Sequence, residues 1–120
     1  EVAQYLEERV DWCLQRGVSL SRIAIDPGIG FGKTIEHNLL LLRNLNRFRR
    51  LGCAVVIGTS RKGFLGTLTG RTVSDRMVAS VVSSLAACEA GASIVRVHDV
   101  GPMRDAIQVW DAVRGWRVER

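Results

Sequence analysis

Three short stretches carry the residues whose types and spacing could do chemistry. The first is Asp26-Pro27-Gly28-Ile29-Gly30-Phe31-Gly32-Lys33-Thr34. Its alternating glycines can take left-handed backbone conformations. Phe31 sits at the tip, and Asp26 leads the loop out of an apolar run. The loop is not a Walker A motif, because Pro27 stands where the first glycine would be needed. Nor is it a dinucleotide fingerprint, because Lys33 stands where the third glycine would be. Asp26 suits an amidine-like N–H edge, which a carboxylate can meet with two hydrogen bonds. The structural alternative is a turn-former ahead of Pro27.

The second stretch is Gly58-Thr59-Ser60-Arg61-Lys62-Gly63-Phe64-Leu65-Gly66. Gly58, Ser60 and Lys62 share strand parity, and a helix is predicted to begin within the segment. The free N–H groups of a helix start attract anions, and Lys62 beside them adds a mobile point charge. The alternative is a basic surface turn. The third stretch is Arg96-Val97-His98-Asp99. Arg96 and His98 are two apart and so point to one face of a strand. A guanidinium and an imidazole side by side suit a phosphate or pyrophosphate. His37, following Glu36, reads as a cap or surface residue.

The elements that must position these residues follow from periodicity. Val2, Leu6, Val10, Cys13 and Leu14 predict a first helix, stopped at Gly17. Leu39, Leu42, Leu45 and Phe48 predict one helix over 36–50. Val78, Val81, Val82, Leu85 and Ala86 predict a buried helix from an N-cap at Ser74. Met103, Ala106, Ile107, Trp110 and Val113 predict a last helix from about Pro102, which is favourable at a first helical position. Between them lie the β-branched runs 22–25, 54–57 and 93–97, which read as buried parallel strands. The alternation means an α/β protein, either an open doubly wound sheet or part of a (β/α)8 barrel. All three chemical stretches follow the C-terminal ends of strands, where parallel α/β folds keep their sites. Taken together, one carboxylate, one lysine, one arginine and one histidine meet a glycine loop and an exposed Phe. That combination suits a flat heterocycle carrying an anion, with group transfer by positioning and electrostatics.

Composition bounds the rest. The 120 residues are long enough for one domain, and the 47% hydrophobic and 24% charged content is ordinary for a globular protein. No apolar run reaches the roughly 18 residues of a membrane span. The net charge of +5 comes from fifteen Arg and two Lys. Without aromatic interleaving or a nucleic-acid motif, it reads as a solvated surface and not as a nucleic-acid footprint. Cys13, Cys53 and Cys88 are odd in number and lack CxxC spacing, so they read as buried free thiols.

In this order and spacing, Asp26-Pro27-Gly28-Ile29-Gly30-Phe31-Gly32-Lys33, Gly58-Thr59-Ser60-Arg61-Lys62 and Arg96-Val97-His98-Asp99-Val100 closely resemble the dihydropteroate synthase family. Ser74-Asp75-Arg76 extends the likeness, which covers nearly all the chain. The resemblance implies a (β/α)8 TIM barrel, with residues 1–120 as its C-terminal part: a leading helix plus the last three βα units. It implies condensation of 6-hydroxymethyl-7,8-dihydropterin pyrophosphate with p-aminobenzoate, releasing pyrophosphate with Mg2+ help. Asp26 would hydrogen-bond the pterin, and Lys62 would reach it near the p-aminobenzoate pocket walled by Phe31. Arg96 would pack on the pterin face and, with His98, hold the pyrophosphate. Lys62, Arg96 and His98 would be the catalytic groups, with Gly58 and Ser60 lining the substrate. The Mg2+ ligand is expected in an N-terminal half not present here, so these residues alone are expected to be inactive. A cytoplasmic enzyme, homodimeric at full length, with no membrane or nucleic-acid partner, completes the implication.

One departure is Gly63, where many family members have a serine that helps bind the p-aminobenzoate carboxylate. Two rivals remain open on residues alone. A pterin-binding methyltransferase barrel would share the Asp-led site but has no reason to keep 60–62 together with 96–98. A non-catalytic synthase-derived module would have no reason to keep all four ligand residues.

Overall fold

Ala24–Ile25 (β1), Ala54–Ile57 (β2) and Ile94–Val95 (β3) form a parallel sheet in the order β1-β2-β3. Register pairs Ala24 with Ala54 and Ile25 with Val55, then Val56 with Ile94 and Ile57 with Val95. The computed structural model describes residues 2–31 and 34–115. Gly32 and Lys33 of the glycine loop lie outside the described residues. The helices are Val2–Gln15 (α1), Ile35–Arg43 (α2), Asn46–Arg49 (α3), Gly63–Thr69 (α4), Met77–Ala90 (α5) and Val100–Gly115 (α6).

Strand order follows chain order, so right-handed crossovers put the connecting helices on one side. Among the described residues the sheet shows no order reversal of the kind a doubly wound sheet needs. The period-2 rule sorts the central strand. Val55 and Ile57 are buried and join a core with Val10, Leu42, Leu45, Phe48 and Ala87. Ala54 and Val56 face the other way and are half-buried. Ala24 and Ile94 are exposed. The strands are therefore buried on the helix side only, which corrects the expectation of strands covered on both faces. The result is a slab of 44 × 43 × 21 Å. Among the described residues, no helix is long and apolar enough to cross a membrane.

Helix bounds differ from the periodicity in three places, each for a local reason. The predicted helix over 36–50 breaks at Asn44, whose side-chain amide donates to the Leu40 carbonyl at 2.8 Å. That bond competes with the helical ladder, and Leu45 turns fully inward before α3. Ser74 is not the N-cap of α5. It lies in a 3-10 turn, Val73–Asp75, where Thr72 bonds Asp75 and Ser74. The last helix starts at Val100, so Pro102 sits in its first turn and not at its first position.

The predicted valine stripe of α5 is also turned. Val78 and Val82 are 72% and 59% exposed, while Ser80, Ser84 and Ala87 are buried. The serines go inward because the strand-end turn above them needs hydrogen-bond partners. Leu14 and Val113, each predicted on a core face, are exposed as well. All three cysteines are free; Cys53 is buried, and Cys13 and Cys88 are half-buried.

Candidate functional site

The three chemical stretches meet at one rim of the sheet, beyond the C-terminal ends of the strands. The first loop is built on Asp26. Its Oδ1 accepts from the Gly28 N–H at 2.8 Å, so one oxygen does make the turn. Its Oδ2 accepts from Arg96 Nη1 at 3.3 Å. Ile29 is fully buried and pins the loop to the core. The next N–H, of Gly30, donates at 2.7 Å to Oδ1 of Asn38, a buried side chain in the first turns of α2. Thr34 caps that helix by accepting from the His37 N–H at 3.1 Å, and His37 itself is exposed. Phe31 projects outward, 66% exposed.

Lys62 crosses from the second loop to the first. Its Nζ donates to the Ile29 carbonyl and lies 4.3 Å from the Phe31 ring centroid. Its stem packs on Gly30, where an added Cβ would stand 2.7 Å from Lys62 Cδ. Gly30 has φ +87, a conformation few other residues adopt. The glycine at this position thus serves two needs, backbone sign and close approach of the lysine.

The second loop is a tight turn closed by the Lys62 N–H donating to the Thr59 carbonyl at 3.1 Å. Thr59 is buried against Ser83 and Ser84 of α5, at 2.7 and 3.3 Å between hydroxyl oxygens. Arg61 is the one non-glycine residue with positive φ among the described residues, at +57. Such a conformation costs about 1–2 kcal/mol, and such strain persists only where its surroundings hold it. The Arg61 N–H donates to Ser80 Oγ at 2.7 Å, and the Arg61 carbonyl accepts from Arg76 Nη1 at 3.1 Å. Helix α4 begins at Gly63, directly after Lys62. A Cβ at Gly63 would meet nothing within 4 Å, so the position has room for a serine.

The third loop closes over the second. Arg96 continues the strand pairing through its N–H to the Ile57 carbonyl at 2.9 Å. Its guanidinium lies over Gly58, where a Cβ would stand 2.5 Å from Nη2. The Arg96 and Asp26 side chains are 56% and 36% exposed, so their ion pair is solvent-screened and contributes at most about 1 kcal/mol. It orients the two groups more than it stabilises the fold. His98 Nδ1 is 2.8 Å from Ser60 Oγ, and its backbone N–H donates to the same oxygen at 3.2 Å. That oxygen already accepts one N–H, and its hydroxyl can donate to Nδ1. In the tautomer where it does, Nε2 carries the ring hydrogen and is a donor toward an anion.

Asp26, Phe31, Gly58, Ser60, Lys62, Arg96 and His98 are thus brought together, as their positions after strand ends led one to expect. The residues missed in the sequence are those behind them, Asn38, Ser80, Ser83 and Ser84; Asp99 was in the third stretch, but its pairing with Arg61 was not expected. A faint signal existed, since polar residues punctuate the otherwise apolar stretches 38–45 and 77–88. Among the described residues, no three His, Cys, Asp or Glu side chains cluster as a metal cage. Asp26 and His98 are engaged with Arg96 and Ser60, so these residues do not form a fit for Mg2+.

Residues 1–98 match the family model described as pterin binding enzyme. The dihydropteroate synthase of Neisseria meningitidis serogroup C is 45% identical over 115 residues, covering 94% of this chain and 41% of that protein. The dihydropteroate synthase of Escherichia coli K12 is 37% identical over 112 residues. Among solved structures, a Stenotrophomonas maltophilia dihydropteroate synthase with imidazole in its active site superposes with a TM-score of 0.93 at 44% identity. It is matched over 98% of this chain and 44% of its own. A Xanthomonas albilineans dihydropteroate synthase in complex with 7,8-dihydropteroate gives 0.93 at 42% identity, over 97% of this chain and 45% of its own. The chain spans about 41% of the length of the curated relatives it matches. With its motifs, its rim and this extent of likeness in agreement, the chain belongs to the pterin binding enzyme family.

Proposed function

We propose that this chain is part of a dihydropteroate synthase, in which it forms the C-terminal portion of a single barrel domain. The open face and unpaired edges of the sheet support that reading. Ala24 and Ile94 are exposed where a (β/α)8 barrel would bury them against the other strands. The three βα units here would be the last three.

The observation that carries the functional reading is the interlock of the three loops. Arg96 bridges Asp26 and Gly58, His98 bonds Ser60, and Lys62 reaches the glycine loop. In the reaction, the methylene–oxygen bond of dihydropterin pyrophosphate breaks, and the electron pair leaves with the pyrophosphate. The aniline nitrogen of p-aminobenzoate then bonds to the methylene carbon and loses a proton. Arg96 and the Nε2–H of His98 would bear the charge that grows on the departing anion. Asp26 would take the N–H edge of the pterin, favouring cationic character at the methylene. Lys62, already seated on Phe31, would lie between pterin and p-aminobenzoate. Preorganised charge of this kind works without reorganising at the moment of reaction. Any Mg2+ would be held by residues outside this chain, and no step here depends on it.

The test is product formation by the complete enzyme carrying this segment. 7,8-Dihydropteroate should form from the two substrates, and Lys62→Ala should lower kcat/KM by roughly 10²–10³-fold. The isolated residues 1–120 should give no turnover. Lys62-dependent turnover by them would overturn the view that the site is shared with another part of the protein.

A further inference from the structure

Arg61 stands between Ser60 and Lys62 yet turns away from both. Its guanidinium Nη2 donates to Asp99 Oδ1 at 2.9 Å, joining the loop after β2 to the loop after β3. Its N–H is held by Ser80 and its carbonyl by Arg76. The left-handed backbone at φ +57 is therefore fixed from three sides.

Asp99 is available for this because of the helix it precedes. Its carbonyl accepts from the Met103 N–H at 3.1 Å, as the residue ahead of a helix does. A carboxylate there can also take an N–H from the second or third helical position. In α6 the third is Pro102, which has none, leaving Gly101 as the one capping donor at those two positions. Asp99 Oδ2 is buried without a hydrogen-bond partner among the described residues, so no described group competes with Arg61 for this carboxylate.

The consequence falls on the neighbours of Arg61. Reversal of the chain at Arg61 lets Ser60 meet His98 while Lys62 reaches Ile29 and Phe31. Resting on the synthase reading above, we infer that Arg61 and Asp99 are positioning residues: their ion pair locks the turn that aims Ser60–His98 and Lys62 at the substrates. Arg61 acts through its backbone and touches no substrate.

Glycine separates the backbone role from the guanidinium, because it adopts positive φ without being held there. In the complete enzyme, inorganic pyrophosphate binding is measured by calorimetry, with steady-state kcat and KM alongside. Arg61→Ala should weaken pyrophosphate binding about tenfold, the release of one held left-handed residue. Arg61→Gly should recover to within about threefold of the parent. Asp99→Asn should cost about tenfold in the parent and almost nothing further in the Arg61→Gly background, as coupled residues do. If Arg61→Ala does not fold, the Arg61→Gly and Asp99→Asn cycle carries the test unaided. Binding by Arg61→Gly as weak as by Arg61→Ala, or Asp99→Asn without effect in the parent, would overturn the inference while leaving the synthase reading intact. A parent enzyme that binds no pyrophosphate would sink that reading, and this inference with it.

Discussion

The rim of the sheet and the cavity on its helical side differ in kind. The cavity, about 340 Å³, lies among α2, α4 and α5, with Leu39, Leu42, Phe64, Leu65 and Leu68 among its walls. Its lining is mostly apolar, and two of its three polar side chains are engaged elsewhere, Ser83 with Thr59 and Glu89 with Arg114 at 3.0 Å, leaving Arg43 as the third. The rim instead gathers a carboxylate, an ammonium, a guanidinium and an imidazole. Volume without convergent polar groups is a packing feature; function follows the groups whose charge and direction are set by the backbone. The difference teaches where to look: the rim is the wall proposed for the site, while the cavity is a largely apolar gap among α2, α4 and α5.

Substitutions can break or sharpen that contrast. The largest effect should come from Asp26→Ala at the rim, which removes the proposed acceptor for the pterin edge and the partner of Arg96. In the complete enzyme, kcat/KM should fall roughly 10²–10³-fold, with only a small drop in thermal midpoint, since the ion pair and the Gly28 turn bond it loses are both exposed. Leu42→Ala should do the reverse. Deleting this buried side chain should cost about 2–4 kcal/mol in denaturant unfolding, with kcat/KM per folded molecule unchanged. Equal losses of activity at the two places would erase the distinction.

Gly58→Ala comes next. The new Cβ would stand 2.5 Å from Arg96 Nη2, so the guanidinium must move. KM for the pterin pyrophosphate should rise about tenfold with the midpoint of unfolding nearly unchanged. An unchanged KM would mean that the seat of Arg96 on Gly58 is immaterial.

The smallest effect concerns the helix side at high pH. Burial, with a lesser contribution from Asp111, pushes the Cys88 thiol above its ordinary value of 9.0. A raised folded-state pKa means the folded protein holds its proton more tightly. The associated stability is present below about pH 9 and is lost as pH rises through the folded value. Cys88→Ala should flatten the decline of the unfolding midpoint as pH rises above about 9, and it should leave kcat/KM of the complete enzyme at pH 7 untouched.

What was legible in the sequence divides along the same line. Strand ends were legible because β-branched runs are short and their following loops are rich in Gly, Asp, Arg and His. The order of elements and the gathering of Asp26, Lys62, Arg96 and His98 followed from that. The orientation of α5 was not legible. Hydropathy assigns Val78 and Val82 inward, but Thr59 and Arg61 require hydroxyl partners, and Ser80, Ser83 and Ser84 turn in to supply them. The break at Asn44 is another case, since a side chain that can either face solvent or take the Leu40 carbonyl leaves no mark in periodicity. The anchors of the turn, Arg61 and Asp99, lie inside motifs already singled out, but their pairing is a tertiary fact. No spacing rule couples two residues on different strand ends.

The central claim is that the rim binds a pterin and a pyrophosphate together and presents them to p-aminobenzoate. Calorimetric titration of p-aminobenzoate into the complete enzyme, with and without pyrophosphate plus a pterin, tests it most directly. Binding of p-aminobenzoate that requires the pyrophosphate, and that disappears in Arg96→Ala, is the expected result. Binding of a methyl-folate without pyrophosphate, or p-aminobenzoate binding indifferent to pyrophosphate and to Arg96, would contradict it.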